Sequence, residues 1–152
     1  MKHLLILLIS ILLLLSSPVI GDNHKGETLY GWGEYPDYVW KGVGEKDTHP
    51  VYKGEVENGV PNGQGTFTFI SGSKHVGEWK NGEPYGQGTF TFLDGWKYEG
   101  GWVENRKHGF GKSILADGFT FDGEWDYGRP WSGTHYDKEG NIVAKYVNGV
   151  KQ

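Results

Sequence analysis

The sequence predicts an all-β protein: an elongated, single-layer antiparallel β-meander built from 23-residue hairpin repeats. Composition is the first reason. The chain of 152 residues contains 26 Gly, 7 Trp, 9 Tyr and 7 Phe, whereas Leu, Ile and Val after residue 21 number only 16. Helical bundles need more aliphatic residues, and disordered chains are poor in aromatic residues. A motif that recurs every 23 residues, with side chains alternating between two faces, completes the prediction.

The first 21 residues are typical of a secretory signal peptide. A short positive start precedes a nearly pure apolar run over residues 4–15, and cleavage is predicted after Gly21. The alternative is an uncleaved anchor, because residues 4–20 reach the lower limit of a membrane-spanning length. Either interpretation delivers the rest of the chain outside the cytoplasm, so we expect a secreted or periplasmic protein.

Residues 22–51 are predicted to form a degenerate N-terminal cap. Leu29, Gly31 and Gly42 fall on the 23-residue spacing, but residues 35–38 do not. Terminal repeats of a solenoid differ from internal ones because their outer edge faces water. We therefore expect this segment to be partly irregular.

Four repeats are predicted next, with the bounds 52–74, 75–97, 98–120 and 121–143. Each repeat has three marked positions, two residues apart. The first is held by Tyr52, His75, Tyr98 and Phe121. The second is held by Gly54, Gly77, Gly100 and Gly123. The third is held by Val56, Trp79, Trp102 and Trp125.

Each repeat is predicted to be one β-hairpin. Asn-Gly pairs at 58–59 and 81–82 favour a tight turn, because both residue types tolerate positive φ. Asp-Gly pairs at 94–95 and 117–118 supply the turn to the following repeat. Since a single hairpin is not stable in water, neighbouring hairpins must share aromatic rings. We expect the glycine before each tryptophan to leave bare backbone on which such a ring lies.

The end of the chain departs from the pattern. In the fourth repeat, Gly133 lies one position off the glycine spacing. Residues 144–152 are predicted to form a partial repeat or cap, in which Tyr146 begins a truncated strand and turn. Such differences are expected where a solenoid ends.

These residues resemble the MORN repeat family. The family pattern is an aromatic residue, any residue, Gly-Glu-Trp, and then spaced glycines. Here it reads Tyr52-Lys-Gly-Glu-Val, His75-Val-Gly-Glu-Trp, Tyr98-Glu-Gly-Gly-Trp and Phe121-Asp-Gly-Glu-Trp. The resemblance covers residues 52 to about 143 and implies a single-layer antiparallel meander with an aromatic-lined groove. It also implies a module that binds membranes or proteins, or serves as a rigid scaffold.

No catalytic residue, metal site or cofactor is predicted. The chain has no Cys, and none of its histidines after the leader forms a pair with zinc-ligand spacing. Gly-x-Gly runs belong to the repeat and do not precede a helix, as a phosphate-binding loop does. His75 is interpreted as a half-buried substitute for an aromatic residue. A formal net charge of −4 argues against a nucleic-acid partner.

The aromatic face is the predicted binding surface. Its candidate residues are Trp79, Trp102, Trp125, Tyr98 and Phe121. Rings along a groove can receive apolar side chains or stack on sugars, and the alternative is that they pack on each other as the core. On the opposite face, a solvated acidic ladder is expected from Glu55, Glu78 and Glu124.

The predicted function is a non-catalytic extracytoplasmic scaffold that presents this aromatic surface to a protein partner. One alternative is binding of carbohydrate or an envelope polymer by ring stacking. Peripheral phospholipid binding is the other, which the acidic net charge disfavours. A basic patch would favour lipid, and it would have to gather Lys53, Lys80, Arg106 and Lys107.

Overall fold

The computed structural model describes residues 24–152 as one twelve-stranded antiparallel sheet without a helix. The strands are β1 His24–Trp32, β2 Val39–Lys41, β3 Val51–Glu57, β4 Val60–Thr68, β5 Lys74–Lys80, β6 Glu83–Thr91, β7 Lys97–Val103, β8 Arg106–Ile114, β9 Thr120–Asp126, β10 Arg129–Tyr136, β11 Ile142–Val147 and β12 Val150–Lys151. This confirms the predicted all-β antiparallel sheet of hairpins. The predicted signal peptide lies outside the described residues. Between residues 24 and 152, no helix is long and apolar enough to span a membrane.

The order of the strands in space is that of the chain from β3 to β12. The N-terminal end differs from a simple meander, because β1 lies between β2 and β3. Residues 42–50 therefore return past β1 to begin β3. This crossover accompanies the packing of Trp40, in β2, on Tyr52 and Phe67, with ring centroids 6.1 and 5.5 Å apart. Trp40 thus supplies an indole to the first repeat, whose own third position is Val56.

The turns within the hairpins have the geometry that their sequence predicts. Asn58 and Gly59 have φ values of 52° and 77°, and the corresponding pair at 81–82 has 52° and 87°. Two successive residues with positive φ match the right-handed twist of a two-residue hairpin. The third hairpin achieves this without glycine, since Glu104 and Asn105 have φ values of 49° and 60°.

A β-bulge sits in the middle of each hairpin. In the first repeat, Gly54 pairs with Gly65 and Val56 with Pro61, so Glu55 alone opposes residues 62–64. The bulge of the fourth repeat is one residue shorter. There Glu124 pairs with Ser132 and Trp125 with Pro130, which leaves Trp131 as the extra residue. The irregular position of Gly133 in the sequence reflects this shorter bulge.

The core lies on one side of the sheet, which we call the ring face. One buried cluster contains Leu29, Tyr52, Val56, Phe67 and Trp79. The second contains Tyr98, Trp102, Phe121 and Trp125. At the C-terminal end, Tyr146 packs edge-to-face on Phe121 at 5.6 Å. It takes the place of the tryptophan that the pattern would put at Asn148, and so closes the row of rings.

Candidate functional site on the ring face

In the first three repeats, the ring at the first position lies between two tryptophans. Tyr98 packs edge-to-face on Trp102 of its own repeat (5.2 Å between centroids) and on Trp125 of the next repeat (5.3 Å). His75 is held in the same way by Trp79 (5.3 Å) and Trp102 (4.8 Å). Edge-to-face contacts place the positive edge of one ring against the negative face of another. The rings therefore connect successive hairpins into one row.

The three repeat tryptophans are buried, and the indole N–H of each has a hydrogen-bond acceptor. Their indole N–H groups donate to glycine carbonyls in the preceding strand, at 3.4 Å for Trp79 to Gly65, 3.1 Å for Trp102 to Gly88 and 3.1 Å for Trp125 to Gly111. Their exposed fractions are only 5 to 7%. A buried indole needs such an acceptor, because an unpaired buried donor is costly. These side chains thus form the floor of the ring face.

Glycines allow the rings to pack directly on the backbone. The register aligns glycines of successive strands in a continuous transverse row, in which Gly77 faces Gly88 and Gly88 faces Gly100. A Cβ atom added to Gly88 would lie 2.7 Å from Nε2 of His75, so this ring rests on bare backbone. A Cβ atom added to Gly77 would instead lie 2.5 Å from the Cα atom of Gly88. The expectation that the ring lies on the glycine before the tryptophan is therefore wrong in this repeat. His75 lies on Gly88 of the second strand, and Gly77 lets the two backbones approach closely.

The polar atoms of the first-position rings have hydrogen-bond partners in two repeats and none in another. The hydroxyl of Tyr52 donates to the Glu55 carbonyl at 2.7 Å, and that of Tyr98 to the Gly101 carbonyl at 3.1 Å. Burial raises the pKa of both phenols. His75 is also buried, with 1% exposure, rather than half-buried as the sequence suggested, and neither ring nitrogen has a hydrogen-bond partner. Burial lowers the pKa of His75 to about 4, which keeps the imidazole neutral at pH 7.

A cleft of about 340 Å³ opens on the ring face beside His75. The exposed and half-buried rings that line it are Tyr35, Phe69, Phe90, Phe92 and Trp96. It exists because residue 73 is serine, whereas the residues 23 and 46 positions later are Trp96 and Phe119. The buried Ser73 side chain leaves open the space that a large ring occupies in the following repeats.

The structure divides the predicted binding residues into two groups. Trp79 and Trp102 line the cleft. Tyr98, Trp125 and Phe121 do not, and they belong to the second buried cluster. The exposed rings of the cleft were not among the predicted site residues. A comparison of positions 73, 96 and 119 across the repeats is the sequence signal that could have located them.

A lysine covers the ring face beyond the cleft. Nζ of Lys107 lies 4.2 Å from the ring centroid of Trp96, 4.4 Å from that of Trp125 and 5.0 Å from that of Tyr98. Ring faces attract a cation at these distances. Burial lowers the pKa of Lys107 to about 8. The other repeats have proline at this position, as at Pro61 and Pro84.

The basic residues singled out in the sequence do not all lie on one face of the sheet. Lys107 lies on the ring face, while Lys53 alternates with Tyr52 and lies on the opposite face. Nζ of Lys80 lies 4.8 Å from the Tyr85 ring centroid. These lysines do not form one basic patch.

Two of the three glutamates of the expected acidic ladder accept hydrogen bonds from backbone amides at the bulges. Glu78 Oε1 accepts a hydrogen bond from the Gln87 amide at 3.0 Å, and Glu55 Oε2 accepts one from the Gln64 amide at 3.4 Å. Glu124, the third member, is paired in register with Ser132. All three side chains are only partly exposed. Within the described part of the chain, no three His, Asp or Glu side chains form a group that could hold a metal ion.

Comparison with known proteins assigns the repeats. The family model for the MORN repeat matches three consecutive segments, at residues 52–74, 75–97 and 98–120. These bounds coincide with the first three predicted repeats. No curated protein is significantly similar to the chain. The 23-residue spacing and the hairpin architecture agree with the family match, so residues 52–120 are three consecutive MORN repeats.

Proposed function

We propose that this chain is a non-catalytic protein that acts outside the cytoplasm and binds a segment of a protein partner on its ring face. MORN repeats are generally non-catalytic modules that bind proteins or lipids. The observation that carries the proposal is the cleft beside His75, whose exposed lining consists of aromatic rings. Interfaces derive most of their binding energy from large side chains that enter such apolar recesses.

The shape and rigidity of the site favour a protein segment. Trp79 and Trp102 form part of the cleft, and both are fixed by hydrogen bonds to the backbone of the preceding strand. A preformed recess costs little ordering free energy when a partner binds. Its volume of about 340 Å³ can receive large side chains from an extended segment.

Two rival ligand classes find less support. A sugar needs several hydrogen-bonding partners besides a ring to stack on. Ser71 and Ser73 are polar residues of the cleft, and their hydroxyl groups bond to each other at 3.2 Å. An anionic lipid surface needs clustered positive charge, whereas the basic residues do not all lie on one face of the sheet and the formal net charge is −4.

Delivery outside the cytoplasm is a separate part of the proposal, and it rests on the predicted signal peptide at residues 1–21. Expression of the full chain in a secreting host, followed by intact-mass analysis of the extracytoplasmic fraction, tests it. We expect a product that begins at Asp22. Recovery of the chain in the cytoplasm, or in membranes with residues 1–21 still attached, would contradict cleavage and export.

Panning of a random-peptide phage library tests the binding function. The wild-type chain is compared with Ser73→Trp, which places in the cleft the ring that Trp96 and Phe119 supply in later repeats. We expect enriched peptides to bind the wild type at least about tenfold more tightly than this variant. Phe110→Ala is the matched control, because Phe110 is 74% exposed and lies on the opposite face.

The outcomes of this experiment separate the ligand classes. Peptides that bind Ser73→Trp as well as they bind the wild type, or no enriched peptides at all, would refute the proposal. A glycan array and flotation with anionic vesicles are run in parallel on the same variants. Cleft-dependent binding in either assay, without peptide binding, would replace the protein partner by a carbohydrate or a lipid.

A further inference from the structure

The ring face already holds one segment, which belongs to the chain itself. Residues 33–38 lie between β1 and β2, and two tyrosines of this segment pack on rings of the first repeat. Tyr38 packs on Phe67 with ring centroids 5.8 Å apart, and Tyr35 packs on Phe69 at 5.5 Å. The Tyr35 hydroxyl also reaches Oδ1 of Asn105 at 3.4 Å. The molecule therefore displays one ligand chemistry that its ring face accepts: two tyrosines, three residues apart, on either side of a Pro-Asp pair.

The next repeat offers a second copy of the surface beneath this segment. Phe90 and Phe92 stand 23 residues after Phe67 and Phe69. The two rings of each pair are separated by nearly the same distance, 4.6 Å in the first repeat and 4.5 Å in the second. The register is conserved as well, since Phe67 pairs with His75 and Phe90 pairs with Tyr98. A segment moved by one repeat would therefore meet an equivalent pair of rings.

The second copy is only partly covered, since the Tyr35 side chain crosses it to reach Asn105 in the third repeat and the remainder lines the cleft. Phe90 and Phe92 both line the cleft, and Phe92 is 40% exposed. Tyr35 contributes one wall of this space, and Trp96 lines it as well, with its ring 4.4 Å from that of Phe92. Equivalent rings of the two repeats are two strands, or about 10 Å, apart, and the two pairs meet where Phe69 packs on Phe90 at 5.6 Å. The space for a second segment beside residues 33–38 is the cleft of about 340 Å³.

We propose, building on the proposed function, that the cleft binds a partner segment of the form Tyr-Pro-x-Tyr, one repeat along from the chain's own residues 35–38. Its two tyrosine rings pack on Phe92 and Phe90, as Tyr35 and Tyr38 pack on Phe69 and Phe67. Trp96 adds a wall that the first copy lacks, because the residue 23 positions earlier is Ser73. Tyrosine suits the site, because its ring buries apolar surface while its hydroxyl stays hydrated at the rim.

The test uses a fluorescent synthetic peptide with the sequence of residues 33–39, titrated against the intact chain by fluorescence anisotropy. We expect saturable binding that Ser73→Trp weakens by at least about tenfold, because the introduced indole fills the cleft. Phe110→Ala should bind the peptide as the wild type does. Phe92→Ala removes an exposed ring and serves as a second cleft variant, with an expected loss of about fivefold or more.

The peptide with both tyrosines replaced by alanine should not bind. Absence of binding of the native peptide up to about 1 mM, or equal binding by wild type, Ser73→Trp and Phe92→Ala, would overturn the inference. Phage panning distinguishes this failure from failure of the proposed function. Cleft-dependent peptides without the tyrosine pair would refute the Tyr-Pro-x-Tyr ligand and leave the protein-binding function in place.

Discussion

The imidazole of His75 lies edge-to-face against the indole of Trp102, with ring centroids 4.8 Å apart and an interplanar angle of 85°. The contact has the geometry of the Tyr98–Trp125 contact one repeat later, at 5.3 Å and 83°. Histidine therefore acts as an aromatic ring in this row. Its nitrogens find no hydrogen-bond partner, whereas the Tyr98 hydroxyl is bonded to the backbone.

This arrangement predicts a pH dependence of stability. Burial lowers the pKa of His75 from 6.5 to about 4, so below pH 6.5 the unfolded chain takes up a proton that the native chain excludes. The contribution of His75 to stability is complete above pH 6.5 and is lost as the pH falls toward 4. The maximum slope is about 1.4 kcal/mol per pH unit. Urea denaturation of wild type and His75→Phe between these pH values measures it, and parallel pH profiles would refute the assignment.

Replacing His75 by tyrosine should stabilise the fold at neutral pH. The new hydroxyl would lie where those of Tyr52 and Tyr98 lie and would donate to the carbonyl of Glu78. One such hydrogen bond, with no buried nitrogen left unpaired, contributes about 1–2 kcal/mol. Thermal and urea denaturation should place His75→Tyr above both the wild type and His75→Phe. A His75→Tyr variant no more stable than His75→Phe would show that the hydroxyl finds no acceptor.

The repeat could be predicted in detail because its signals are local and recur at a fixed spacing. The strand alternation and the Asn-Gly turns were predicted from the sequence, and the displaced Gly133 marks the place where the structure has a shorter bulge. The crossing of β2 past β1 was not predictable, since residues 35–38 carry no repeat signal and their position depends on contacts with Phe67 and Phe69.

The candidate site was harder to predict than the fold. Tryptophans at the third repeat position are conspicuous in the sequence, but regular spacing places them in the buried row rather than at the surface. The cleft arises from a missing ring at Ser73 and from a loop that supplies Tyr35 as a wall. Recognising it requires knowledge of which side chains point to the same face and which chain segment lies above them.

The glycine row predicts a marked asymmetry between glycine positions. Gly77→Val should destabilise the protein by about 3 kcal/mol, because a Cβ atom there would lie 2.5 Å from the Cα atom of Gly88 and the two strands would have to separate. Gly42→Val is the matched control, since no atom lies within 4 Å of its Cβ position. Urea denaturation compares the two variants. Equal stabilities would refute the close approach of the strands.

Replacing a buried tryptophan should mainly lower stability, whereas replacing a half-buried tryptophan beside the cleft should mainly lower binding. Trp102→Ala removes a buried ring that contacts both His75 and Tyr98, and it should cost about 3–5 kcal/mol. Trp96→Ala removes a half-buried ring beside the cleft, so we expect a smaller loss of stability and a loss of peptide binding. Melting curves and peptide titrations of both variants check this. If Trp96→Ala cost more stability than Trp102→Ala and left peptide binding intact, both assignments would be wrong.

The third hairpin turn offers a stabilising change. Glu104 and Asn105 both adopt positive φ, which costs free energy for side chains other than glycine. The double substitution Glu104→Asn and Asn105→Gly installs the Asn-Gly pair that forms this turn at 58–59 and 81–82. We expect a gain of about 1 kcal/mol in the free energy of unfolding.

Urea denaturation of the double variant measures that gain, and Asn81→Glu provides the converse. This substitution puts glutamate where Asn81 now has a φ of 52°, so it should destabilise the second hairpin by a similar amount. The Tyr35 hydroxyl loses its acceptor when Asn105 is replaced, but that bond is long, at 3.4 Å, and exposed, so its loss should offset little of the gain. If the double variant is less stable than the wild type, the Tyr35 contact outweighs the backbone strain at this turn.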